Sequence, residues 1–336
     1  MADERIDQIM NAPPSSSDGM VGMIGVGDMG GAIAQCLLRS VPVMVADLRK
    51  DAVDALVAQG ARGAASLVEL TDSCDVAIIV VVDDRQVTTV VEELLRHPGR
   101  LHSIIVSSTI LPTTVMALTR KVQDAGIALI DAPVSGGDEK AVRGLLSIMI
   151  GGDTAAVERC WPLFEAFGSE LFHLGPVGAG SAGKLVNNLL SLGGNMLILE
   201  AMQLARAYGI TEDSVTEFVT VSAGDSRNIR TWGRHDRSRQ HHHLGGTDAI
   251  YEIFSKDVKT AALAAGLRGV VLPIAATIGA TMGEQLKARD KYLIENDLLG
   301  PLPTCRACGQ ILAKPYRDAG AHPECALGEL TAKGMS

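Results

Sequence analysis

A glycine-rich turn near the start of the chain constrains the fold most strongly. Gly25–Gly30 has the pattern GxGxxG, and it lies between the apolar β-branched run Val21–Val26 and the helical segment Gly31–Arg39. The pattern alone is weak evidence, because 36 of the 336 residues are glycine. A position between a strand and a helix, however, is typical of the first βαβ unit of a doubly wound sheet.

Further apolar runs alternate with helical segments up to about residue 152. Each run is continuous rather than alternating, which predicts parallel strands covered on both faces. From about residue 180 to Leu299 long helical patterns replace the strands. We therefore predict an α/β fold with a Rossmann-type doubly wound sheet followed by an all-helical domain. The further predicted strands are Val43–Ala46, Val76–Val82, Ser103–Val106 and Ile127–Ile130.

The glycine turn also predicts a dinucleotide site. Gly25 permits the tight turn, Gly27 lets the backbone approach a pyrophosphate, and Gly30 lets the helix pack closely on the strand. Asp47 follows Gly27 by twenty residues, at the end of the second predicted strand. A carboxylate there accepts the ribose hydroxyls of NAD and repels the extra phosphate of NADP. The two cations that follow Asp47 weaken this preference, so the sequence favours NAD and leaves NADP as the alternative.

Three more residues are candidates for cofactor binding. Asp28 and Met29 complete the glycine turn, at the helix N-terminus that would face the pyrophosphate. Thr109 follows another strand, and ligands of open α/β sheets lie at the carboxyl ends of strands. Its hydroxyl would bond the nicotinamide ribose or carboxamide, or would instead cap the turn before Pro112.

A polar stripe runs along the long helical segment that starts near residue 180. Lys184, Asn188, Ser191 and Asn195 are spaced by four, three and four residues, while most neighbouring positions are apolar. Such spacing places all four side chains on one helix face. The stripe is either the solvated face of a surface helix or the wall of a wet cleft. In a cleft, a partly desolvated lysine suits a general acid/base, and an asparagine orients a substrate oxygen.

Four motifs follow one another along the chain. They are the turn Ile24–Gly31, the run Asp131–Gly137 followed by Ala141 and Gly144, the pattern Gly180-x-x-x-Lys184-x-x-x-Asn188, and the segment Phe254–Val258. Together and in this order, they resemble the β-hydroxyacid dehydrogenase family typified by 3-hydroxyisobutyrate dehydrogenase, over about residues 20–295.

The resemblance implies a role for each motif. Lys184 would be the general acid/base on the hydroxyl or carbonyl oxygen. Ser135, Gly136, Gly137 and Asn188 would bind the substrate carboxylate and neighbouring oxygens. Lys256 would lie beside the cofactor and help to close the cleft. The implied activity is hydride transfer between a small 3-hydroxy acid, of the 3-hydroxyisobutyrate or tartronate semialdehyde type, and NAD.

Three other functions compete with this one. Oxidative decarboxylation of a 3-hydroxy acid on the same fold, as in 6-phosphogluconate relatives, would need cations for a substrate phosphate, and Arg227 and Arg230 are candidates. An imine reductase is disfavoured, because such relatives usually lack a lysine at position 184. A non-catalytic NAD sensor is disfavoured by the Lys184 and Asn188 pair. The stretch 222–246, with the triplet His241–His243, does not match the family pattern, so the substrate side chain stays open.

The end of the chain carries a second kind of site. Cys305-x2-Cys308 is followed by His322-x2-Cys325, a spacing that suits tetrahedral zinc. Four soft ligands leave no open position, so the predicted zinc is structural. The alternative is three free thiols and an unrelated histidine. This knuckle is not part of the family pattern.

Changes of composition divide the chain into four predicted parts. Residues 1–18 form a polar, proline-containing arm, and residues 19–179 the NAD-binding Rossmann-type domain. Residues 180–300 form a helical substrate and oligomerisation domain, and residues 301–336 the zinc-binding tail. We expect a homodimer or homotetramer.

Composition narrows the possible partners. The chain has 30 Lys and Arg against 39 Asp and Glu, a net charge of −9, which disfavours nucleic-acid or anionic-lipid binding. No apolar run reaches the roughly 18 residues of a membrane span. The N-terminus lacks an apolar secretion core, so we expect a cytoplasmic protein.

Overall fold

The computed structural model describes residues 19–233, 236, 249–296 and 298, except the side chains of 138–139 and 249–253. Nine strands form one sheet in this part of the chain. The strands are β1 Met20–Ile24, β2 Val43–Ala46, β3 Arg62–Gly63, β4 Cys74–Ile79, β5 Ser103–Val106, β6 Ala128–Asp131, β7 Val134–Ser135, β8 Leu146–Gly151 and β9 Gly168–Gly175.

The strand order is that of a doubly wound sheet extended by antiparallel strands. Along the sheet the order is β3-β2-β1-β4-β5-β6-β8-β7, and β9 pairs with β8. Strands β1 to β6 pair in parallel, whereas β8 runs antiparallel to β6 and to β7. The order reverses on either side of β1, so a crevice opens at the carboxyl ends of β1 and β4.

Helices cover both faces of this sheet. They are α1 Asp28–Leu37, α2 Lys50–Val57, α3 Leu67–Ser73, α4 Asp84–Arg96, α5 Pro112–Asp124, α6 Gly137–Val142 and α7 Thr154–Phe167. One apolar layer joins α1 and α7 to the sheet, and a second layer joins α4 and α5 to the other face. Two buried layers explain why the strands are apolar on both faces, as the sequence predicted.

Several predicted boundaries were wrong by two or three residues. β1 ends at Ile24 rather than at residue 26, and β4 ends at Ile79 rather than at residue 82. Apolar residues continue beyond both strands, but the backbone amides there donate hydrogen bonds to side-chain oxygens instead of to a neighbouring strand. The amide of Val26 donates to Asp47, and that of Val81 donates to Ser108. Helix α1, predicted over Gly31–Arg39, starts three residues earlier and ends two residues sooner.

The rest of the described chain is helical. Its helices are α8 Ala179–Ala207, α9 Glu212–Val219, α10 Arg227–Arg230, α11 Ala249–Gly266 and α12 Pro273–Glu295. Buried residues of α8, α11 and α12 form a separate apolar core around Leu192, Val258 and Leu286. The two compact units of the chain divide between Asn187 and Asn188, inside α8. In the described residues no helix combines the length and apolarity needed to cross a bilayer.

Candidate active site

The glycine turn has the geometry of a phosphate loop. Gly25 has φ +85°, and a Cβ there would lie 2.2 Å from the carbonyl oxygen of Val80. A Cβ on Gly30 would lie 2.0 Å from the carbonyl oxygen of Gly25, so both positions require glycine. A Cβ on Gly27 would meet only an Arg49 guanidinium nitrogen, at 3.6 Å. The backbone at Gly27 is thus open to a ligand, and no side chain caps α1 at this residue.

Asp47 ties the end of β2 to this turn. Its Oδ2 accepts the amide of Val26 at 2.8 Å, and its Oδ1 accepts the amide of Arg49 at 2.8 Å. The guanidinium Nε of Arg49 lies 3.7 Å from the same Oδ1. Lys50, the second cation of the segment, bonds Asp54 at 2.6 Å instead. A carboxylate and one guanidinium therefore meet where a ribose or its phosphate would bind.

The carboxyl ends of β2, β4 and β5 supply apolar and hydroxyl groups. Leu48 and Val82, which follow β2 and β4, are largely exposed. Ser108 fixes the chain after β4 through its bond to Val81, and Thr109 is half-buried beside it. The hydroxyl of Ser107 is buried and finds no hydrogen-bond partner among the described residues. Together with the open backbone at Gly27, these groups fit a dinucleotide across the carboxyl ends of the strands.

The Ser135 segment forms a turn beside the helix that carries Lys184. Gly136 has φ +151° and Gly137 has φ +73°, conformations that side chains rarely adopt. Ser135 ends β7, and its hydroxyl accepts a hydrogen bond from the Asn187 side chain at 3.2 Å. Lys184, one turn before Asn187 on α8, is half-buried. Residues of the two predicted motifs therefore meet within the first unit.

The four side chains of the polar stripe of α8 are buried or half-buried, and none is exposed. Asn188 and Asn195 are 6% and 7% exposed, and Lys184 and Ser191 are half-buried. This excludes the surface-helix alternative for the stripe. The same helix also carries a stripe of apolar side chains that are largely exposed to solvent. These are Val186, Leu190, Leu197 and Leu204.

Asn188, the first residue of the second unit, has a buried partner within that same unit. Its Nδ2 donates to the Oδ2 of Asp257 at 2.8 Å, and Asp257 is 9% exposed. Asp257 follows Lys256 on α11, and Lys256 is half-buried. The bond orients the Asn188 amide and joins two of the four sequence motifs.

Comparisons with known proteins agree with this geometry. The family model of the NAD binding domain of 6-phosphogluconate dehydrogenase matches residues 20–175. The model described as NAD-binding of NADP-dependent 3-hydroxyisobutyrate dehydrogenase matches residues 178–295. The NAD-dependent L-serine dehydrogenase of Pseudomonas aeruginosa is 38% identical over 210 residues, which cover 61% of this chain and 70% of that protein.

The chain belongs to the β-hydroxyacid dehydrogenase family. Another relative, an L-threonate dehydrogenase of Cupriavidus necator, is 34% identical over 61% of this chain and 71% of its own length. Among solved structures, Mycobacterium tuberculosis 3-hydroxyisobutyrate dehydrogenase with L-serine superposes with a TM-score of 0.71 at 25% identity. That match covers 80% of this chain and 94% of the other.

Family resemblance assigned no role to two residues that contact predicted site residues. Asn187 contacts Ser135, and Asp257 contacts Asn188. The sequence held a signal for Asn187, because it lies three residues after Lys184 and so shares its helix face. Little in the sequence indicated that Asp257 would be the partner of Asn188, because the two residues are 69 positions apart.

The stretch after residue 222, which lacks a counterpart in the β-hydroxyacid dehydrogenase motifs, is partly described. Ser226 caps α10, and Asn228 donates to the carbonyl of Ser191 on α8 at 2.8 Å. Arg230 bonds Asp225 through two nitrogens, with Nε at 2.8 Å. This pairing neutralises one of the two cations that a substrate phosphate would need.

Two predicted features lie outside the described residues. One is the triplet His241–His243, and the other is the zinc set Cys305, Cys308, His322 and Cys325. The described residues contain no cluster of three or more potential metal ligands.

Proposed function

We propose that this chain oxidises the hydroxyl of a small 3-hydroxy acid with NAD, or catalyses the reverse reduction. The observation that carries the proposal is the contact of Asn187 with Ser135, one helical turn from the half-buried Lys184. This contact places a lysine that could transfer a proton near a turn that could bind a carboxylate. Relatives named for L-serine and L-threonate support a substrate with a hydroxyl near a carboxylate.

The chemistry follows from these side chains. When bound, NAD supplies the hydride acceptor. Nζ of Lys184 would take the hydroxyl proton during oxidation and return a proton to the carbonyl oxygen during reduction. The Ser135 hydroxyl and the amides of Gly136 and Gly137 would bind the substrate carboxylate. Asn188, oriented by Asp257, would bind a neighbouring oxygen.

Cofactor binding is assigned to the described turn and strand ends. The amides near Gly27 would approach the pyrophosphate, and Asp47 would accept the ribose hydroxyls. Thr109 would bond the nicotinamide half, and Lys256 would lie beside the cofactor as the family resemblance implies. The remaining members of the proposed cofactor set are Gly25, Asp28, Met29 and Gly30.

The first test measures substrate and cofactor together. We expect absorbance at 340 nm to rise with NAD and L-serine, L-threonate or 3-hydroxyisobutyrate, and not with glycerol, which lacks the carboxylate. We expect kcat/KM for NAD to exceed that for NADP by about tenfold or more, because Asp47 repels the extra phosphate. The variant Asp47→Ser should reduce this ratio.

Two results would contradict these expectations separately. Failure of every hydroxy acid with both cofactors would reject the proposed activity. Turnover with a clear NADP preference would keep the activity, and it would show that Arg49 rather than Asp47 controls the ribose site.

We also propose a homodimer or homotetramer. The support is the exposed apolar stripe of α8, where Leu190, Leu197 and Leu204 are each more than 60% exposed. Apolar side chains aligned along a helix face are typical of a protein interface. The proposed partner is a second copy of this chain.

For the tail we propose one structural zinc bound by Cys305, Cys308, His322 and Cys325. The support is the ligand spacing, which suits four-coordinate zinc. Protein purified without a metal-affinity step should hold about one zinc per chain. Chelation should release it without loss of NAD binding, because the proposed cofactor residues all lie outside the tail. Less than about a tenth of an equivalent, with all three thiols freely titratable, would reject the site.

A further inference from the structure

A buried carboxylate links the Ser135 segment to the start of helix α8. Asp131, the last residue of β6, is fully buried. Its Oδ1 accepts the amide of Gly178 at 2.7 Å, and its Oδ2 accepts the amide of Ser181 at 2.6 Å. The donors lie 47 and 50 residues further along the chain, at the first turn of α8.

Glycines allow this close approach. A Cβ on Gly151 would lie 2.5 Å from the Oδ1 of Asp131. A Cβ on Gly180 would lie 2.4 Å from the carbonyl oxygen of Asp131 and 2.5 Å from that of Met149. Both glycines have backbone atoms as neighbours, so the helix start cannot shift to accept a side chain. The axial position and rotation of α8 are therefore fixed at this point.

The two groups that Asp131 joins are the two halves of the proposed substrate site. Ser135 follows Asp131 by four residues, and Lys184 follows Ser181 by three. Six residues after Ser181 on α8, Asn187 donates to Ser135 at 3.2 Å. A shift of α8 along its axis would thus move Lys184 and Asn187 relative to Ser135.

Asp153, which caps another helix of the same unit, is exposed, whereas Asp131 is buried. The Asp153 carboxylate caps α7 by accepting the amide of Ala156 at 3.2 Å. Burial raises the pKa of Asp131, and the hydrogen bonds from Gly178 and Ser181 act in the opposite direction. A buried carboxylate is costly unless it is hydrogen-bonded, and the same two amides meet that need.

We propose that Asp131 is a positioning residue that sets the register of α8 against the Ser135 segment and so places Lys184 for proton transfer. The proposal rests on the proposed hydroxy-acid dehydrogenase function. Asp131 does not itself touch the substrate. Its carboxylate also occupies the amides of Gly178 and Ser181, which excludes these two amides as donors to the substrate carboxylate.

The test is Asp131→Asn, with Asp153→Asn as the matched control. Asparagine keeps the shape but replaces one acceptor oxygen with an NH2 group that faces a backbone N–H. We expect kcat to fall by about tenfold to 100-fold, since a displacement near 1 Å at the chemistry costs this much. The Kd for NAD should change less than about twofold. Asp153→Asn should keep kcat near the wild-type value.

Amide hydrogen exchange supplies a readout independent of turnover. In Asp131→Asn, residues 178–187 should exchange faster, while the glycine turn keeps its protection. If the asparagine variant fails to fold, Asp131→Ser leaves room for a water and keeps one acceptor, and the same measurements apply.

Each alternative result has one meaning. Wild-type kcat in both Asp131 variants, or equal losses in the Asp131 and Asp153 variants, overturns the positioning role. A wild-type enzyme that turns over no hydroxy acid rejects the proposed function, and the positioning role with it.

Discussion

Replacement of Lys184 by alanine should lower kcat by about 100-fold or more, the usual effect of losing a general acid/base. The side chain is half-buried on α8, one turn before Asn187, which contacts Ser135. Binding of NAD should change little, because the glycine turn lies on β1 and α1. Stopped-flow measurement of NADH formation, with NAD affinity from fluorescence titration, checks both expectations.

Two further variants define what Lys184 contributes. Lys184→Arg keeps the positive charge but cannot release a proton near neutral pH, so we expect it to be as inactive as the alanine variant. A Lys184→Arg enzyme with near-normal turnover would show that charge alone is needed. Lys121→Ala, which removes an exposed lysine paired with Glu92, is the control and should retain activity.

The largest expected loss of stability comes from Glu212→Gln in the helical unit. Arg289, whose side chain is 3% exposed, bonds Glu212 through Nη1 and, at 2.8 Å, through Nη2. It also bonds Asp236 at 2.9 Å, and Trp232 donates to Glu212 at 2.7 Å. Removing the Glu212 charge leaves Asp236 as the carboxylate that still pairs with Arg289, and it also breaks the Glu212 pair with Arg206. Losing these charge-assisted hydrogen bonds costs about 2 kcal/mol. Urea unfolding monitored by Trp fluorescence measures the change.

The same carboxylate predicts how stability depends on pH. Burial raises the pKa of Glu212, but hydrogen bonds from Arg289 and Trp232 and the charges of Arg289 and Arg206 outweigh it, so the net pKa is lowered. A carboxyl group with a lowered folded pKa stabilises the fold above its unfolded pKa of about 4.3. This stabilisation is lost as pH falls through the folded pKa.

The difference in unfolding free energy between wild type and Glu212→Gln should therefore shrink below about pH 4.3. Glu92→Gln, which breaks the exposed pair with Lys121, should leave the unfolding midpoint unchanged. A constant difference between wild type and Glu212→Gln from pH 7 to pH 3 would show that lost packing, not charge, explains the effect.

The sequence determined the features that depend on neighbours along the chain. The spacing of Gly25, Gly27 and Gly30 predicted a phosphate turn, because a backbone in close contact admits no Cβ at Gly25 or Gly30. The alternation of apolar runs predicted the doubly wound sheet. The intervals between Lys184, Asn188 and Asn195 placed them on one face of α8. Each is a local rule, since strand and helix periods are fixed by backbone geometry.

Only the tertiary structure decided which distant groups meet. Asn187 and Asn188 are consecutive on α8, but they have different partners. Asn187 donates to Ser135, and Asn188 donates to Asp257. The packing also buried or half-buried the polar stripe of α8 and exposed an apolar one, the reverse of what hydropathy alone predicts. Asp131 finds its donors about 50 residues away because β6 ends where α8 begins. Hydrogen-bond partners so far apart depend on how strands and helices pack, which no local pattern encodes.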